Sequence, residues 1–288
     1  MPVLYPANVQ EYLDFGLHGW AMSRYSGCWV AFKALADTVE TSASVNIDPS
    51  AVNIVYPTDF TLPPDGLNIR WPDPPLVQEK RLLHHKLYAA LAYCRANGLN
   101  RVVIDSPQPR LGIITAGKSY LDVRQALDDL GIDEALAAEI GIRLYKVGMV
   151  WPLEAEGVRR FAEGLDEILV IEEKRQLIEY QLKEELYNWR EDVRPRVVGK
   201  FDEKGEWALI HSTGADGRII IIHNVGAQDA ILTNQDANSS AANRFLFGIG
   251  SCNYSAFFIC TKLGYLDIPF FGHARYFLSL RFSDFNSS

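Results

Sequence analysis

After Asn8 the apolar residues Val9, Tyr12, Leu13, Leu17 and Trp20 recur every third or fourth position, a spacing that predicts an amphipathic helix capped by Asn8. A short apolar piece, Val3-Leu4-Tyr5, precedes it before Pro6. Residues 28–35 (CWVAFKAL) fit a buried strand or a second helix, since periodicity does not arbitrate so short a run. Residues 79–97 predict a helix with Leu82, Leu83, Leu87, Leu91 and Cys94 on one side, closed by Gly98. Strands are expected at Arg101–Asp105 and Leu111–Thr115. A helix at 119–130 follows, with Ser119 as N-cap and Gly131 as its stop, then a short helix from Asp133 to Ile140. The pattern continues with a strand at 142–147, a helix at 152–164 after a Trp-Pro turn, a strand at 166–172 and a helix at about 175–189. Strands alternating with helices predict an α/β fold with a parallel sheet covered by helices.

Two stretches stand outside this alternation. Seven prolines (49, 57, 63, 64, 72, 74 and 75) within residues 41–78 forbid a long helix and predict an extended linker. Beyond Trp207 the composition changes: no Glu occurs there, while nine of the 14 Phe do. Residues 218–223 (RIIIIH) fit one strand, and residues 234–243 read as loop. The rest shows no sustained period, so a poorly structured, poorly packed tail is expected.

The 288 residues carry 28 Lys and Arg against 36 Asp and Glu, a net charge of −8. That balance argues against a nucleic-acid-binding surface. Four Cys (28, 94, 252 and 260) with no CxxC pair exclude a disulfide scaffold and local cysteine metal sites. With no long apolar run, neither a membrane span nor a secretory signal is expected, and a cytoplasmic location follows.

The sharpest motif is GIITAGKS at 112–119, which satisfies the G-x-x-x-x-G-K-[ST] spacing of a phosphate loop. Such a loop needs its strand before the first Gly. Here residues 112–115 are themselves the apolar strand, and SPQPR at 106–110 cannot be one, so the context is wrong. Two readings stay: an anion site of Gly117, Lys118 and Ser119 at a helix N-terminus, or a tight turn that uses the backbone freedom of Gly117. Glu172, Glu173, Lys174 and Arg175 follow a strand, where binding crevices of parallel sheets form, but a charged helix start explains them better. His84 and His85 are adjacent on a helix and point apart. His211 and His223 lack a local carboxylate, and Ser26-Gly27-Cys28 lacks the spacing of a nucleophile elbow. No complete catalytic set is visible.

The strings at 6–27, 111–123, 130–134, 141–154 and 161–189 (among them LGIITAGKSYLDV and GIRLYKVGMVWPLE) resemble the indolepyruvate ferredoxin oxidoreductase family in its long single-chain form. The resemblance covers residues 1–207. It implies a thiamine diphosphate and Mg²⁺ enzyme that oxidatively decarboxylates aryl 2-oxo acids, forms acyl-coenzyme A and reduces ferredoxin through iron–sulfur clusters. It further implies homo-oligomeric assembly in the parent. Residues 1–40 then look like the end of a thiamine pyrimidine-binding domain, 41–78 the linker, 79–198 a transketolase C-terminal-like domain, and 199–288 a linker and unassigned tail. The family's diphosphate-binding domain and cluster cysteines have no counterpart here. No catalytic, cofactor or metal residue is therefore carried over, and the chain is expected to contribute an interface domain without turnover. The alternative is a non-catalytic phosphate- or coenzyme A-docking module.

Overall fold

A computed structural model describes residues 1–68, 70, 71, 73–173 and 175–201, and the backbone of three strands at 210–212, 219–224 and 244–249. The chain divides into two units, Met1–Leu121 with Ala137–Val197, and Asp122–Leu136 with Val198–Ser288.

The first unit opens with β1 (Val3–Leu4) and α1 (Val9–Ser26). Asn8 accepts the Glu11 backbone N–H, while the Glu11 carboxylate accepts that of Ala7, so two helix-start donors are satisfied by a reciprocal cap. Gly27, at φ 68, ends the helix; a side chain there would collide with the Leu67 backbone. The open reading of 28–35 resolves as a two-residue strand, β2 (Ala31–Phe32), followed by α2 (Ala36–Val39).

The Pro-rich segment is extended, with a 3-10 turn at Pro49–Ala51, and it is tied down by polar bonds. Asn97 exchanges two hydrogen bonds with the Val55 backbone. Arg95 grips Asp59 at 2.8 Å and Glu154 at 2.7 Å. The helix expected from 79 starts earlier, because Pro75 suits a first helical position, where its missing N–H costs nothing. It runs as α3 (Pro75–Arg81), a π turn (Leu82–Lys86) and α4 (Leu87–Ala96).

Then come β3 (Asn100–Ile104), β4 (Leu111–Ala116), α5 (Lys118–Asp129), α6 (Glu134–Ile140), β5 (Ile142–Val147), β6 (Met149–Trp151), α7 (Ala155–Ala162), β7 (Glu167–Ile171), α8 (Ile178–Leu186) and β8 (Arg196–Val198). The main sheet has the order β3-β5-β4-β7-β8. β4 pairs in parallel with β5 and β7 and is buried along its whole length. β3 runs antiparallel to β5 at the edge, so the sheet is mixed where an all-parallel one was expected. The six-residue turn after β3 is too short for a crossover, and Arg101 and Val102 face solvent as an edge strand allows. A second sheet, β2-β1-β6, contains a strand the period had not revealed, since β6 is three residues long.

One core lies where α7 and α8 cover the sheet, with Ile114, Tyr145, Phe161, Val170, Leu182 and Leu186 buried. Gly112 lets α7 approach: a Cβ there would stand 2.5 Å from Leu165 and 2.8 Å from Phe161. A second core joins α1, α4 and β6 through Phe15, Met22, Tyr93, Cys94 and Met149.

In the second unit, Asp133 caps α6 by accepting the Leu136 N–H at 2.8 Å. β9 (Ile210–Ser212), β10 (Ile219–Asn224) and β11 (Arg244–Ile249) form an antiparallel sheet in the order β11-β10-β9. The isoleucine run, which the sequence fits to a strand, is the central strand β10, and its partners β9 and β11 fall in segments where no strand was expected. The loop expected at 234–243 and the packing of the tail lie outside the described residues.

Candidate functional site

The parallel strands β4, β5 and β7 end together, and their carboxyl ends carry the polar residues of interest. Gly117 follows β4 at φ 55, turning the chain into α5. The helix begins at Lys118, so Ser119 lies inside the first turn, almost fully buried, and is not the N-cap that the sequence suggests. Gly117 itself makes the turn, and its carbonyl accepts the Tyr120 N–H at 3.1 Å. Gly117, Lys118 and Ser119 therefore sit together at the start of α5.

Tyr5 closes over this turn. Its ring lies against Gly117 so closely that any Cβ would overlap it. Its hydroxyl receives the Lys118 backbone N–H and lies 3.4 Å from Glu173 Oε2. The Lys33 ammonium sits 4.1 Å from the ring centroid. Burial, and then the negative Glu173, push the phenol far above its ordinary pKa, so it stays a neutral hydroxyl.

At the end of β5, Lys146 points its ammonium at Glu11 of α1 in a buried ion pair, 4.3 Å from the Tyr120 ring centroid. Burial lowers the Lys146 pKa, and Glu11 opposes that shift through charge and hydrogen bonding. Beyond β7, Glu172 accepts backbone N–H groups of Leu177, Ile178 and Glu179 at 2.8–3.1 Å, capping α8. Burial raises its pKa against the pull of these three donors. The Glu172 group thus serves the helix start; Lys174 lies outside the described residues.

Other candidates are dispersed. His84 and His85 fall in the π turn. The Ser26 hydroxyl donates to the Met22 carbonyl at 2.7 Å, and Gly27 and Cys28 finish α1. The side chains of His211 and His223 lie outside the described residues. Among the described residues no set of three or more His, Cys, Asp or Glu could hold a metal ion. Cys28 and Cys94 are buried thiols whose pKa values burial raises, the opposite of an iron–sulfur ligand, which must be a thiolate. The described residues do not fit a cluster.

Tyr5, Glu11 and Lys146 are the residues that sequence reasoning passed over. The Asn8-x-x-Glu11 cap and a lysine inside the apolar run IRLYKV were the available signals.

Residues 100–218 match the family model described as the indolepyruvate ferredoxin oxidoreductase middle domain. The match passes the composition break at 207 by eleven residues, so that break is not the family boundary. Indolepyruvate oxidoreductase subunit IorA of Methanothermobacter thermautotrophicus is 25% identical over 208 residues, covering 70% of this chain and 31% of the relative. The Pyrococcus abyssi subunit is 26% identical over 207 residues, covering 69% and 30%. Among solved structures, a 2-oxoglutarate:ferredoxin oxidoreductase from Magnetococcus marinus is 14% identical with a TM-score of 0.42, covering 69% of this chain and 38% of that one. A split-gene transketolase is 18% identical with a TM-score of 0.28, covering 38% and 35%. The chain spans about a third of the length of these curated relatives. By its middle-domain match over residues 100–218 and these relatives, the chain is similar to the indolepyruvate ferredoxin oxidoreductase family.

Proposed function

We propose that this chain supplies a structural, transketolase C-terminal-like domain of an oxidoreductase that converts aryl 2-oxo acids to acyl-coenzyme A and reduces ferredoxin. The parent in this reading is the long single-chain form, homo-oligomeric and cytoplasmic. One observation carries the reading: the polar groups at the strand ends are turned inward. Glu11 and Lys146 neutralise each other, Glu172 caps α8, and Tyr5 covers the turn at Gly117. A reaction centre needs groups aimed at an open cleft. Thiamine diphosphate, Mg²⁺, iron–sulfur clusters and coenzyme A belong, in this reading, to the portion of the relatives outside the matched third.

The test is a steady-state assay of the purified protein with indolepyruvate, thiamine diphosphate, Mg²⁺, coenzyme A and an artificial electron acceptor. No turnover above the protein-free rate is expected. Turnover that survives repurification would refute the structural role.

A further inference from the structure

Between two buried anchors the Pro-rich segment lies on the surface as a strap. Thr38 holds one end, buried, with its hydroxyl 2.8 Å from that of Tyr12. Leu67, also buried, holds the other, its backbone carbonyl packed against Gly27. From residue 39 to residue 66 none of the described residues is buried and none pairs as a strand, so hydrophobic burial contributes little to keeping this stretch in place. Polar clasps on or beside α1, α3 and α4 do that instead. Gln10 exchanges hydrogen bonds of 2.7 and 3.3 Å with the Asn46 backbone, and Asn97 does the same with Val55 at 2.8 Å. Arg95 holds Asp59, and Arg81 holds Asp65 and the Gly66 carbonyl. Both ion pairs face water: the Asp59 and Asp65 side chains are 48% and 47% exposed, so salt screens their hold.

Release of the strap costs little, for two reasons. Arg95 is shared, since its Nη1 donates to Glu154 at 2.7 Å and lies 3.4 Å from Glu156, both at the start of α7. When Asp59 lets go, the guanidinium stays paired and the junction of α4 with α7 stays closed. The strap also covers a polar group without satisfying it. The Tyr56 ring stands 5.7 Å from that of Tyr25, and Asp59 lies near enough to act on the Tyr25 phenol. Yet the Tyr25 hydroxyl is cut off from water and has no hydrogen-bond partner. Lifting the strap returns water to that hydroxyl, which offsets part of what the clasps contribute. Pro57, Pro63 and Pro64 keep the freed segment extended, so it docks again at a small entropic cost.

We propose that residues 39–66 form a releasable strap, latched by the Asp59–Arg95 ion pair, that opens as a unit while the sheet beneath stays folded. Opening uncovers Tyr25 on α1, and ionic strength controls it: the strap is closed at low salt and open at high salt. This device does not depend on the functional reading above.

Hydrogen exchange of the full chain, read by mass spectrometry at about 0.01 M and about 1 M NaCl, tests it; the Debye length falls between them from about 30 Å to about 3 Å. Amides of residues 44–60 should exchange at least about tenfold faster at the higher salt, while those of β4 keep their rate. Asp59→Asn should raise the low-salt rate of the strap by at least about fivefold and weaken its response to salt. Glu156→Gln removes an acid that faces the same guanidinium but not the strap, and should leave the strap as in the parent. The β4 amides report in each variant that the fold is intact. Strap amides indifferent to either salt or Asp59→Asn would overturn the proposal. So would strap and β4 amides that exchange at one common rate, or equal acceleration by Asp59→Asn and Glu156→Gln.

Discussion

A lysine with 4% of its side chain exposed persists in β5 because Glu11 answers its charge and the Tyr120 ring lies close by. Removing one member of a buried pair leaves an uncompensated charge, at a cost of about 3–5 kcal/mol, whereas removing both can be nearly neutral. Lys146→Met should therefore lower the urea-unfolding free energy by about that amount, and adding Glu11→Leu should recover most of it. Equal loss in the single and double variants would show that the pair is not a coupled unit. His18 behaves differently. It is buried beside the Tyr93 hydroxyl, with Nδ1 at 3.1 Å, and desolvation lowers its pKa against the weaker opposing pull of Asp14. The unfolded chain thus binds the proton more readily than the folded one. Stability from this group is complete above the ordinary value of 6.5 and declines as pH falls through it toward the lower folded value. The urea midpoint should drop between pH 7 and pH 5, and His18→Gln should flatten that drop.

Elements here are positioned by a few close approaches. α7 reaches the sheet only because Gly112 has no side chain, and the Gly-rich motif that resembles a phosphate loop owes its first glycine to that packing. Gly112→Ala should overpack the Leu165 and Phe161 side chains and destabilise the fold by about 1–3 kcal/mol. Thermal unfolding monitored by circular dichroism would register it, and an unchanged midpoint would remove the packing account. Sequence periodicity located α1, β4, β5, β7 and the helices between them, because each is long enough to repeat its burial pattern. It missed β1, β2 and β6 as a sheet, since strands of two or three residues contain no period. It placed the start of α5 one residue late, because Ser119 has the chemistry of a cap while Gly117 has the conformation the turn requires.

For the whole molecule, the resemblance to the family was legible in the sequence, while the state of the strand ends was not. Gly117, Lys118 and Ser119 do come together at a helix start, as their spacing implies. What covers them is Tyr5, more than a hundred positions away, and nothing local in either segment announces that encounter. The central claim is that these carboxyl ends are closed by the chain's own side chains. Calorimetric titration of the protein with coenzyme A and with inorganic pyrophosphate, beside Lys118→Ala, tests it most directly. The account predicts no saturable heat from either ligand. Saturable binding to the parent that vanishes in Lys118→Ala would contradict it and establish the docking module in its place.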